Sequence, residues 1–126
     1  MTERGAMIDI GGREYELLLT TKATKEIAGR YGGLDHLGEK LMKSENFEMA
    51  LSEIVWLITL LANQSIQKYN LLNKETPKVL LTEEEVEILT TPYELAGYKA
   101  AITAAMFAGT KRNIESEEDS KNAQVG

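Results

Sequence analysis

The chain has 126 residues, enough for one compact domain with a modest core and short for two. With 43% hydrophobic and 27% charged residues it has globular composition, which excludes wholesale disorder and fibrous repeats. Fourteen basic against twenty acidic residues give a formal charge of -6, which repels a phosphate backbone, so no nucleic acid is expected as partner. The absence of cysteine removes disulfides, thiolate nucleophiles and Cys-based zinc sites and fits a reducing, cytoplasmic setting.

Residues 1–6 carry no apolar run behind a basic segment, so no secretion signal is expected. Met7-Ile8-Asp9-Ile10 and Tyr15-Glu16-Leu17-Leu18-Leu19 flank Gly11-Gly12, a pair suited to the positive φ angles of a tight turn, and predict a β-hairpin. Alternation fails across Leu17-Leu18-Leu19, so the second arm is either covered on both faces or shorter than it looks. Thr20 or Thr21 then caps a helix from about Lys22 to Tyr31, with Ala23, Ile27 and Tyr31 on one face and Gly32-Gly33 as its stop. Leu34, Leu37, Leu41 and Met42 recur at helical spacing and predict a second short helix, weakened by Gly38.

Ser44 or Asn46 caps a longer helix running toward Leu72, in which Phe47, Ala50, Leu51, Ile54, Leu57, Ile58 and Leu61 form an apolar stripe. Between Ile54 and Ala62 this helix is apolar almost all round, as a central helix must be. The run is much shorter than the roughly 20 residues that span a bilayer, so no membrane partner is expected. A polar break at 73–77 leads to Thr82-Glu83-Glu84-Glu85, a capping box opening a helix from Glu83 to about Thr90. Thr91-Pro92-Tyr93-Glu94 repeats the device and opens an alanine-rich helix predicted to stop at Gly109. The predicted fold is mainly α: a small N-terminal β-hairpin (7–19) and a compact bundle of about five helices in one domain over 1–111, then a flexible acidic tail over 112–126.

Little in the chain is suited to making or breaking bonds. His36 is the only histidine and has no serine or cysteine motif around it, so it is expected to pack or face water. Glu83-Glu84-Glu85-Val86-Glu87 lacks the spaced ligands and turn glycine of a calcium loop and reads as an acidic first turn favoured by the helix dipole. Gly29-Arg30-Tyr31-Gly32-Gly33 follows a helix and lacks a Gly-Lys-Ser ending, so chain reversal explains it better than a phosphate cradle. Trp56 is expected in the core. No catalytic, cofactor-binding or metal residue is assigned, and an enzyme is not expected. The small side chains of the last helix suit a close approach by another helix, and the expected partner-binding residues on its exposed side are Tyr98, Ile102, Ala105 and Met106.

The stretch Ile8-Asp9-Ile10-Gly11-Gly12-Arg13-Glu14-Tyr15-Glu16-Leu17, followed by Thr20-Thr21-Lys22-Ala23 and Ile27-Ala28-Gly29-Arg30-Tyr31-Gly32-Gly33-Leu34, resembles tail assembly chaperones of long-tailed phages and prophages of Gram-positive bacteria. The likeness runs on through the central helix to Tyr93-Glu94-Leu95 and includes no catalytic signature. It implies a non-catalytic protein of the bacterial host cytoplasm that coats and shields the tape-measure protein while the tail tube polymerises, then leaves, so that it is absent from the mature virion. The family pattern also implies homo-oligomers and a longer frameshifted form as partners. Ser120-Lys121-Asn122 can be encoded by a run of adenines on which ribosomes slip. The rival reading is a small helical regulatory or nucleic-acid-binding protein, since short helices joined by a glycine turn can form a helix-turn-helix. Charge opposes it: Leu34 to Lys43 carries only Lys40 and Lys43, beside Asp35 and Glu39.

Overall fold

The computed structural model describes residues 5–33 and 47–125. The chain opens with two antiparallel strands, β1 (Gly5–Ile10) and β2 (Arg13–Leu18), in the register Ala6↔Leu17, Ile8↔Tyr15 and Ile10↔Arg13. Gly11 and Gly12 both have positive φ, 61° and 87°, which a two-residue type I′ turn requires. Asp9 fixes the turn by accepting the Gly12 N–H at 3.0 Å. Along β1 the alternation is clean: Ile8 and Ile10 are buried, Met7 and Asp9 exposed. Along β2 it breaks at the far end, where Leu17 and Leu18 are both buried, so the second arm is covered on both faces there while Arg13 and Glu14 stay exposed.

Helix α1 (Thr21–Tyr31) is capped by Thr20, whose hydroxyl oxygen accepts the Ala23 N–H at 3.0 Å, and it ends where the Gly32 N–H reaches the Ala28 carbonyl. Its buried residues are Ala23, Ile27 and Tyr31, one per turn. The short helix expected at Leu34 to Met42, and His36 within it, lie outside the described residues.

Helix α2 (Phe47–Leu72) is the 26-residue spine. Ile54, Val55, Leu57, Ile58, Leu61 and Ala62 are all essentially sealed from water, because β2, α1 and the later helices cover it from several sides. Each large aliphatic side chain so buried contributes roughly 1.5–3 kcal/mol relative to exposure. Its buried polar groups are satisfied: Thr59 donates to the Val55 carbonyl, and Gln64 accepts the Thr20 hydroxyl while donating to the Leu60 carbonyl.

Helix α3 (Glu83–Leu89) opens with the full capping box: the Thr82 hydroxyl accepts the Glu85 N–H at 3.1 Å and the Glu85 carboxylate accepts the Thr82 N–H at 2.9 Å. The same reciprocal pair, Thr91 with Glu94, opens helix α4 (Pro92–Val125). Here the structure departs from expectation. Gly109 does not end the helix, which runs on through Val125. No glycine or proline interrupts 110–125, so propensity favours continuation. Gly109 serves packing instead: a Cβ placed there would lie 2.7 Å from the Leu19 Cβ, so only glycine lets the end of the hairpin rest on the helix backbone.

The hairpin is wedged between two helices, with β2 against α2 and β1 against α4. One core results, drawn from Ile8, Ile10 and Leu17 of the hairpin, Ile27, Ile58 and Leu61 of the first two helices, and Val86, Leu95, Ile102 and Ala105 of the last two.

Candidate partner-binding surfaces

The residues expected to contact a partner lie on the inward side of α4. Ile102 and Ala105 are completely buried, and Tyr98 and Met106 are packed against the core. Their exposed placement is therefore corrected. Leu95, Tyr98, Ile102, Ala105 and Met106 recur every three to four residues, and that face seals the hairpin. Tyr98 adds a polar tie by donating its hydroxyl to the Asp9 carbonyl on the outer side of β1. Burial, then the neighbouring Glu94 and Asp9 carboxylates, holds its phenol above the ordinary range.

The opposite face of α4 is the exposed one. Tyr93, Ala96, Gly97, Ala100, Ala104 and Phe107 follow one another at helical spacing, Tyr93 88% and Phe107 57% exposed. A helix face of small residues with an aromatic side chain at each end can be approached closely by a second helix. The small-residue character was legible in the sequence. Which face would carry it was not, because alanine suits either side.

A second surface runs beside β2. Arg13, Glu14, Tyr15 and Glu16 form one wall of a groove of about 610 Å³, Ser65, Ile66 and Tyr69 of α2 its floor, and Pro77, Lys78 and Val79 the far wall. That far wall is extended chain pinned to α2 by two side-chain amides. Asn70 accepts the Lys78 N–H at 2.8 Å and donates to its carbonyl at 3.0 Å, and Asn63 treats Leu81 the same way at 2.7 and 2.8 Å. Lys78 also places its ammonium 4.3 Å from the Tyr69 ring centroid. The sequence signal for this arrangement is the spacing: residues 63 and 70 are two helical turns apart and share a face.

A third cluster joins α1 to α2. The Arg30 guanidinium stacks 4.3 Å from the Trp56 ring centroid and pairs with Glu53 at 3.4 Å, while the Tyr31 hydroxyl donates to the same carboxylate. Trp56 is half-buried against the core and meets Tyr31 edge-on at 6.1 Å. Burial first, then the hydrogen bond and charge of Glu53, pushes the Tyr31 phenol well above its usual range. These contacts clamp two helices together.

Among the described residues no group of three His, Cys, Asp or Glu is placed to hold a metal ion, and no helix is long and apolar enough to cross a membrane. No known protein family matches the chain, and neither the curated proteins nor the solved structures include a match to it.

Proposed function

We propose that this protein is a non-catalytic tail assembly chaperone of a phage or prophage. In this reading it binds apolar helical segments of a tape-measure protein in the host cytoplasm, shields them while the tail tube polymerises around them, and is not retained in the virion. The observation that carries the reading is the exposed face of α4, where Ala96, Gly97, Ala100 and Ala104 lie between Tyr93 and Phe107. A helix laid on that face would bury apolar surface on both partners, and small side chains permit the short interaxial distance that makes such packing dense. The opening sequence, from Ile8 to Leu34, adds the family likeness. Copies of the chain and a longer frameshifted form would add avidity along an extended client without demanding tight single contacts.

The test is co-expression with a tape-measure protein that precipitates when expressed alone. The expected result is a soluble complex, lost when Ala100→Glu and Ala104→Glu place charge on the exposed face while the melting temperature stays unchanged. A tape-measure protein that precipitates equally with and without this chain would refute the proposal.

A further inference from the structure

We infer that the open side of β2 takes up an extended segment of another polypeptide, one that alternates basic and apolar side chains, as an added strand. The inference does not depend on the assembly reading. It starts from the hairpin's own geometry. A two-residue turn makes Ile10–Arg13 the first hydrogen-bonded pair, so Ile8–Tyr15 and Ala6–Leu17 are bonded pairs as well. The backbone N–H and C=O groups of Asp9 and Met7 therefore point away from the hairpin on one side, and those of Glu14 and Glu16 on the other.

The two sides are treated differently. On the β1 side α4 closes in, and the Tyr98 hydroxyl bonds the Asp9 carbonyl. On the β2 side, among the described residues, the Glu14 and Glu16 backbone groups have no partner outside the hairpin. They face the groove whose floor is α2 and whose far wall is the pinned segment Pro77–Val79. The free donors and acceptors of these two residues, beside a slot floored by Ser65, Ile66 and Tyr69, are the setting in which strand addition occurs.

Charge specifies the occupant. On the outward face of the hairpin Asp9 stands opposite Glu14, and Glu16 stands opposite Met7, so that face carries three carboxylates. Arg13 belongs to the other face, with Ile10, and Lys78 is held over the Tyr69 ring on the far wall. Side chains of an added strand that lie across from Glu14 and Glu16 share their face, where Lys or Arg is favoured and Asp or Glu opposed. The alternate side chains point to the α2 side, toward Ile66 and toward Val79, which is 89% exposed. A second copy is the poorer occupant. Antiparallel pairing of β2 with its twin about Tyr15 would set Glu14 of each copy against Glu16 of the other, like charge against like.

The probe is an acetylated and amidated peptide, Lys-Val-Lys-Val-Lys-Val, titrated into the 15N-labelled full chain. The expected result is shift change and slowed exchange at the Glu14 and Glu16 amides, with smaller shifts at Lys78 and Val79 and none in α1. Glu14→Pro removes one outward donor without touching a bonded pair of the hairpin, and should weaken binding about three- to tenfold, the loss of one net hydrogen bond. Glu16→Lys should weaken it further, and added salt should do the same to the unaltered chain. The same peptide with alternate amides N-methylated leaves the protein untouched and should not bind. Equal binding of Glu-Val-Glu-Val-Glu-Val, unchanged binding of the N-methylated peptide, or absence of shifts on β2 would overturn the inference. So would peptide-free, concentration-dependent shifts at Glu14 and Glu16, which would assign the groove to a second copy.

Discussion

Replacing Gly109 by alanine sets two effects of opposite sign against each other. In an open helix the change stabilises by about 1 kcal/mol, because alanine has the higher propensity. At Gly109 the new Cβ would stand 2.7 Å from the Leu19 Cβ and 2.8 Å from its Cδ2, distances that force the hairpin end or the helix to shift. Overpacking of this kind costs about 1–3 kcal/mol. The net expectation is a loss of about 1 kcal/mol, or roughly 4 °C in melting temperature for a domain of this size. Gly97 is the internal control: no atom approaches its would-be Cβ within 4 Å, so Gly97→Ala should raise stability by about 1 kcal/mol. Thermal and urea melts of both variants, of Leu19→Gly alone, and of Gly109→Ala combined with Leu19→Gly complete the cycle. Removing the Leu19 side chain together with its Cβ, the atom at 2.7 Å, should relieve most of the Gly109→Ala penalty, a coupling of about 1 kcal/mol. If Gly109→Ala stabilises as much as Gly97→Ala, or Leu19→Gly leaves its effect unchanged, the close approach of hairpin and helix is wrong.

Ile102→Ala should cost about 2–5 kcal/mol in urea denaturation, as a core residue does; a loss within about 0.5 kcal/mol would return Ile102 to the surface. Asn63→Ala strips both backbone partners from Leu81 and should cost about 2 kcal/mol, with hydrogen exchange at the Leu81 amide rising well beyond that of α2. Exchange unchanged at Leu81 would mean that the far wall of the groove is held by something else. For Tyr31 the folded state keeps a proton that the unfolded chain loses near 10.0. Its contribution is therefore complete below that pH and is lost as pH climbs through the raised folded value. Tyr31→Phe should flatten the alkaline decline in melting temperature, and identical profiles for the two proteins would dismiss the linkage.

Features written in a few adjacent residues were legible in the sequence. Gly11-Gly12 specified the turn, Thr82 with Glu85 and Thr91 with Glu94 specified two helix starts, and the all-round apolar run from Ile54 specified the central helix. What failed depended on residues far apart. Gly109 carries the same local signal whether it ends a helix or admits Leu19, ninety positions earlier, against its backbone. The orientation of α4 was misread for a related reason: Leu95–Tyr98–Ile102–Ala105 and Tyr93–Ala96–Ala100–Ala104 are both plausible inner faces, and contact with β1 selects the first. The groove beside β2 was missed because asparagines in a helix usually signal nothing. Only their seven-residue spacing ahead of an extended, proline-started segment hints that Asn63 and Asn70 hold chain in place.

The bond from Tyr98 to Asp9 has a consequence for how this molecule behaves in crowded company. A two-stranded ribbon with both flanks bare could be lengthened from either side, and successive recruits could propagate it into a fibre. Here one flank is closed by a helix, so the ribbon can be lengthened from the β2 side alone and never from both ends at once.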